Sequence, residues 1–108
     1  MNDFVIEVDS YDFDDRAGDG LVMVFFREHT NVLSRGMEPI IEETAQSYYD
    51  VVRVLAIDVE QSPDIAMHYA VDDVPVVIFL KDGKIAERIE GANPPGVYSE
   101  AIENLVFM

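Results

Sequence analysis

The sequence predicts an α/β domain in three layers, a central mixed β-sheet flanked by helices on both faces. Three observations carry this. Two runs, LVMVFF (21–26) and PVVIFL (75–80), are apolar without alternation, as in strands covered on both faces. Segments with helical spacing fall between the strand-like ones, which calls for crossover connections and a largely parallel sheet. A Lys-Asp-Gly-Lys turn (81–84) then joins two strand-like segments directly, so one pair must be antiparallel.

The elements follow in order. FVIEV (4–8) is a short strand, and SYDFDDRAG (10–18) reads as a short acidic helix with Ser10 as N-cap and Gly18 or Gly20 near its end. After the strand 21–26, Met37, Ile40, Ile41, Ala45 and Tyr48 recur at helical spacing between Ser34 and Tyr49, with Pro39 as an internal kink. VVRVLAID (51–58) is the next strand. SPDIAMHY (62–69) is a helix with Ser62 at N-cap and Pro63 at its first position. PVVIFL and the partly exposed IAERIE (85–90) form the hairpin, and 91–96 is a loop with Pro94 and Pro95. A closing helix buries Tyr98, Ala101, Ile102 and Leu105. The order is β-α-β-α-β-α-β-β-α, with right-handed parallel crossovers expected. Without repeat, linker or low-complexity segment, residues 1–108 read as one domain.

Composition narrows the function. With 49% hydrophobic residues the chain should fold. Its 22 acidic and 7 basic side chains give a net charge of −15, a field that repels nucleic acids and anionic membranes. The longest apolar runs are too short for a bilayer, and MNDFVIEVDS lacks the basic start of a signal peptide, so the cytoplasm is the expected compartment. There is no cysteine, which excludes disulfides, thiol catalysis and cysteine metal sites within the chain. YDFDDRAGD lacks the spacing of a calcium loop and reads as a solvated helix face; no metal and no cofactor are expected.

LVMVFFREHTNVLSRGMEP and VVRVLAIDVEQSPDIAMHYAVDDVPVVIFLKDGK, taken together, resemble the thioredoxin family over nearly the whole chain. The resemblance puts Pro39 at the kink proline, Tyr69 at the aromatic ending a helix, Val74-Pro75 at the cis-proline step, Gly83 in the hairpin and Gly91 at the loop closing the site. It places the Cys-Gly-Pro-Cys motif on Asn31, Val32, Leu33 and Ser34. Thiol exchange needs a thiolate nucleophile and a resolving thiol, and neither Asn31 nor Ser34 supplies one. The other departures agree. Phe25 stands for the family's buried aspartate, Ala56 for its lysine partner, and Arg27 and Thr30 for the flanking tryptophans. A buried, unpaired carboxylate is costly, whereas a buried phenylalanine contributes about 1.5–3 kcal/mol, so loss of redox work favours that exchange.

The family also binds extended peptides by strand addition beside the cis-proline, which needs main-chain groups rather than sulfur. The implied groove is Val32, Leu33, Asp73, Val74, Ala92 and Asn93, shaped by Pro75 and rimmed by Arg27, His29 and Arg35. With a helix starting near Ser34, that rim could receive an anionic group, or simply balance Glu28 and Glu38. His29 and Ser34 lack a third member for a hydrolase triad. His68, beside Tyr69, is expected to be partly buried and structural. The expected function is thus a non-catalytic domain of chaperone or adaptor type that binds a protein or extended peptide; a basic partner suits the charge. The alternatives are a role in cell redox homeostasis with thiols supplied by a partner, or a structural subunit of an assembly. Self-association stays open.

Overall fold

The computed structural model describes residues 1–107. Its elements run β1 (Val5–Val8), α1 (Phe13–Ala17), β2 (Leu21–Arg27), α2 (Val32–Ser47), β3 (Arg53–Asp58), α3 (Pro63–His68), β4 (Val76–Lys81), β5 (Lys84–Glu90) and α4 (Pro95–Val106). One sheet has the order β1-β3-β2-β4-β5. β1, β3 and β2 are mutually parallel, whereas β4 runs antiparallel to β2 and β5 antiparallel to β4. This is the three-layer α/β architecture expected from the sequence. Among the described residues no helix is long and apolar enough to cross a membrane.

The unalternating strands owe their pattern to two separate cores. On one face Met23, Phe25, Val54, Ala56, Val77 and Phe79 pack against Met37 and Ile41 of α2 and Tyr98 and Ile102 of α4. On the other, Val22, Val24, Phe26, Leu55, Ile57 and Ile78 pack with Phe13 of α1 and Ala66 of α3. Successive strand residues face opposite layers, so a strand between two helical layers must be apolar at every position. Tyr69 closes the second core, with ring centroids 5.8 Å from Phe13 and 5.9 Å from Phe26.

Turn chemistry joins these pieces. Asp82 (φ 50°) and Gly83 (φ 83°) both take the left-handed conformation that a two-residue hairpin turn requires. The Asp82 N–H donates to the Gly20 carbonyl at 3.0 Å, and the Gly20 N–H donates to Asp82 Oδ1 at 2.9 Å, tying the hairpin to the turn before β2.

Several element ends differ from the expected ones for local reasons. α1 begins at Phe13, and Ser10 is not its cap: the Ser10 hydroxyl donates to Asp64. Asp9 and Asp12 instead exchange backbone-to-carboxylate bonds (2.8 and 3.3 Å), a local turn that competes with helix for those residues. The backbone N–H of Asp9 holds the Asp12 carboxyl below its usual range. β3 begins at Arg53 because the N–H groups of Val51 and Val52 both donate to the Tyr48 carbonyl, closing the end of α2. His68 is exposed rather than partly buried, with its ring edge-on to Tyr69 at 4.8 Å.

Candidate functional site

The strand register brings the expected site segments to one end of the sheet. β2 runs out through Arg27 into the 28–31 loop and the start of α2. Beside it, Phe26 pairs with Val76, so Val74 and Pro75 emerge at the same end. Val76 also pairs with Glu90, and the Gly91 N–H donates to the Pro75 carbonyl at 2.9 Å, which adds the 91–93 loop. Gly91 has φ 82°, a conformation that suits glycine. The Val74-Pro75 peptide is cis. Arg88 of β5 donates to the carbonyls of Tyr69 and Ala70, bracing the chain that leads into Val74.

The residues at the four motif positions have distinct jobs. Asn31 is the N-cap of α2: its side-chain oxygen accepts the Ser34 N–H at 2.8 Å. The helix therefore starts at Val32, two residues before the expected Ser34. Ser34 is buried, and its hydroxyl accepts the Glu28 N–H at 3.3 Å. The pair at the ends of the motif is thus a capping device holding the loop onto the helix. Between them Val32 and Leu33 point outward, 79% and 56% exposed. We expect Asn31→Ala to cost about 1 kcal/mol of stability, read from urea denaturation, as loss of an N-cap usually does.

Arg27 does not form part of the groove's rim. It is only 2% exposed, on the face shared with Phe25 and Ala56. One guanidinium nitrogen, Nη2, contacts Glu7 of β1, and Nη1 lies 3.7 Å from Asp58 Oδ2 and 3.2 Å from His29 Nε2. His29 Nε2 is also 3.2 Å from Asp58 Oδ2. One imidazole nitrogen can accept from the arginine or donate to the carboxylate, not both at once. Asp58 is buried and accepts the backbone N–H of Glu60 at 2.8 Å and Gln61 at 3.3 Å. His29 and Arg27 thus face acidic partners, and no His29–Ser34 hydrogen bond is formed among the described residues. Arg35 is exposed, so Arg27, His29 and Arg35 do not share one rim.

Glu7, Asp58 and Arg88 were not among the expected site residues. The alternation of β1 held a signal for one of them, since Glu7 takes the same face as the buried Val5. Of the groove residues, Ala92 and Asp73 are exposed and Val74 is half-buried. Neither the N–H nor the C=O of Val74 has a hydrogen-bond partner among the described residues. Asn93 turns inward: its amide donates to the carbonyls of Glu90 and Gly91 at 3.2 and 3.1 Å, and lies 3.5 Å from the buried Tyr98 hydroxyl. It holds the loop rather than offering its side chain outward. The local field is negative, and the charge of Glu28 is the main cause raising the Glu60 carboxyl above its usual range.

Comparison with known proteins agrees with this geometry. The family model described as Thioredoxin matches residues 4–104. The chain is 40% identical over 68 residues to Thioredoxin Y2, chloroplastic, of Arabidopsis thaliana; the match covers 63% of this chain and 41% of that protein. It is 27% identical over 99 residues to Thioredoxin of Staphylococcus aureus, a match covering 92% of this chain and 95% of the relative.

Proposed function

This chain belongs to the thioredoxin family, and we propose that it works there without catalysis, as a module that binds a protein or an extended peptide at the degenerate motif. The observation that carries the reading is the exposure of Val32 and Leu33 in the first turn of α2, at the end of the sheet where Val74 offers unpaired main-chain groups. Two outward aliphatic side chains that belong to neither core contribute little to the monomer, and an unpaired backbone beside them suits an added strand. The positions that would carry sulfur instead cap a helix, and neither side chain can form a mixed disulfide. With Glu28, Glu60, Asp72 and Asp73 around the same end, a basic segment is the favoured partner.

Leu33→Asp tests this. It should weaken capture of the partner isolated from the native host by about tenfold or more, the scale set by a charge forced into an apolar contact. The melting temperature should stay near that of the parent, because Leu33 is exposed. Normal binding by Leu33→Asp, or its unfolding, would overturn the reading. Glu87→Lys, on the exposed hairpin, should change only the salt dependence of association.

A further inference from the structure

The opposite pole of the molecule carries a second surface that the motif does not explain. A cleft of about 490 Å³ opens there between the start of β1, the end of α2 and the turn before β2. Its floor includes Ile6 and Leu21, and its walls carry Phe4 (41% exposed), Tyr49 (69%) and Val51 (43%). The Phe4 and Tyr49 rings touch each other, with centroids 5.9 Å apart, outside both cores. Leu21 and Arg27 sit at opposite ends of β2, so this cleft and the motif lie at opposite ends of the sheet.

The cleft's charge selects its occupant. Asp3, Asp19 and Asp50 line it. Arg53 lines it too, but its guanidinium faces Asp19 at 3.9 Å and donates to the Arg16 carbonyl at 2.8 Å. Asp3 and Asp50 have no ion-pair partner among the described residues. α2 ends here with no basic residue in its last turn, so the negative end of the helix dipole adds to the field. A second copy of this chain would bring a further −15 and be repelled, as would a nucleic acid or an anionic lipid surface.

We propose that this cleft is a second docking surface, for an apolar segment of a partner protein bearing arginine or lysine. A cation would lie over the Phe4 and Tyr49 rings. The carboxylates of Asp3 and Asp50 would receive its N–H donors, while neighbouring aliphatic side chains cover Ile6, Leu21 and Val51. The domain then holds two partners at opposite poles, which is how an adaptor works. The inference stands apart from the motif-end reading, and different variants test each.

The probe is the peptide acetyl-Leu-Arg-Leu-Arg-amide, titrated into the ¹⁵N-labelled protein, with its Leu-Glu counterpart as control. Saturable amide shifts should appear at Phe4, Tyr49, Asp50 and Val51 with the arginine peptide only, as a set separate from any response at Leu33 and Val74, and affinity should fall as salt rises. Tyr49→Ser should weaken binding about fivefold, the scale of a cation–aromatic contact at a surface. Asp50→Asn should weaken it as well, and Leu33→Asp should leave it unchanged. Shifts at Leu33 and Val74 with none at Phe4, Tyr49, Asp50 and Val51, an equal response of the cleft to the glutamate peptide, or no saturation there at millimolar peptide would each overturn the proposal.

Discussion

Arg27→Ala should lower the stability of the domain by about 3 kcal/mol, the low end of what removing one partner from a buried ion pair costs. The low end is appropriate because the two arms of the contact differ. Glu7 is 59% exposed and can rehydrate once the arginine is gone, so that arm contributes little. Asp58 is 5% exposed and would be left with His29 and two backbone N–H groups. Removing a side chain that is itself 2% exposed also opens a cavity next to Phe25 and Ala56. Urea denaturation with an unchanged slope, together with a melting temperature lower by about 12 °C or more, is the expected result. Arg27→Met with Asp58→Asn should recover at least half of the loss. The asparagine oxygen can still accept from Glu60 and Gln61, and methionine removes the buried Arg27 Nε, which has no acceptor among the described residues. A loss below about 1 kcal/mol in Arg27→Ala would mean that the contacts amount to a surface pair.

The second large effect concerns what cysteines alone would restore. The parent protein should reduce insulin disulfides with dithiothreitol at the uncatalysed rate, since it contains no thiol. Asn31→Cys with Ser34→Cys should form the disulfide and catalyse weakly, at a rate about a hundredfold or more below that of a thioredoxin. The first new thiol would sit at the start of α2, where the helix dipole favours the thiolate. The second would be buried where Ser34 is now, and its proton would need a relay. The positions that the family resemblance assigns to that relay hold Phe25 and Ala56, both at 0% exposure and both apolar. Absence of a positioned acid or base accounts for a factor of about 10²–10⁴. In its reduced form the same variant also lacks the Asn31 cap and should melt lower than the parent. Turnover by the parent would overturn the non-catalytic reading; a thioredoxin-like rate in the double variant would show that Phe25 and Ala56 do not limit the chemistry.

The sequence by itself determined the layer order and the absence of cysteine. The two unalternating runs require cover on both faces, and the Asp-Gly turn requires a hairpin, whatever surrounds them. Absence of cysteine is a fact of composition. The exposure of Val32 was also legible, because it lies off the apolar stripe of α2, whereas Leu33, four residues before Met37, continues that stripe by spacing and its exposure was decided by the tertiary structure. The Asn31 cap could have been read, an asparagine directly before a helix being a strong start signal. Only the tertiary structure decided the fate of Arg27. Within its own segment it stands beside Glu28 and His29 and reads as surface charge. Its burial depends on the register that sets Arg27 beside Asp58 and Ala56 beside Glu7, which brings carboxylates from two other strands onto one guanidinium. The aromatic cleft at the far pole has the same origin, since Phe4, Leu21 and Tyr49 meet only when β1, β2 and α2 are assembled. Spacing along a chain encodes which face a residue takes in its own element; which charges or rings it meets across elements is set by packing, because those partners lie beyond any local window.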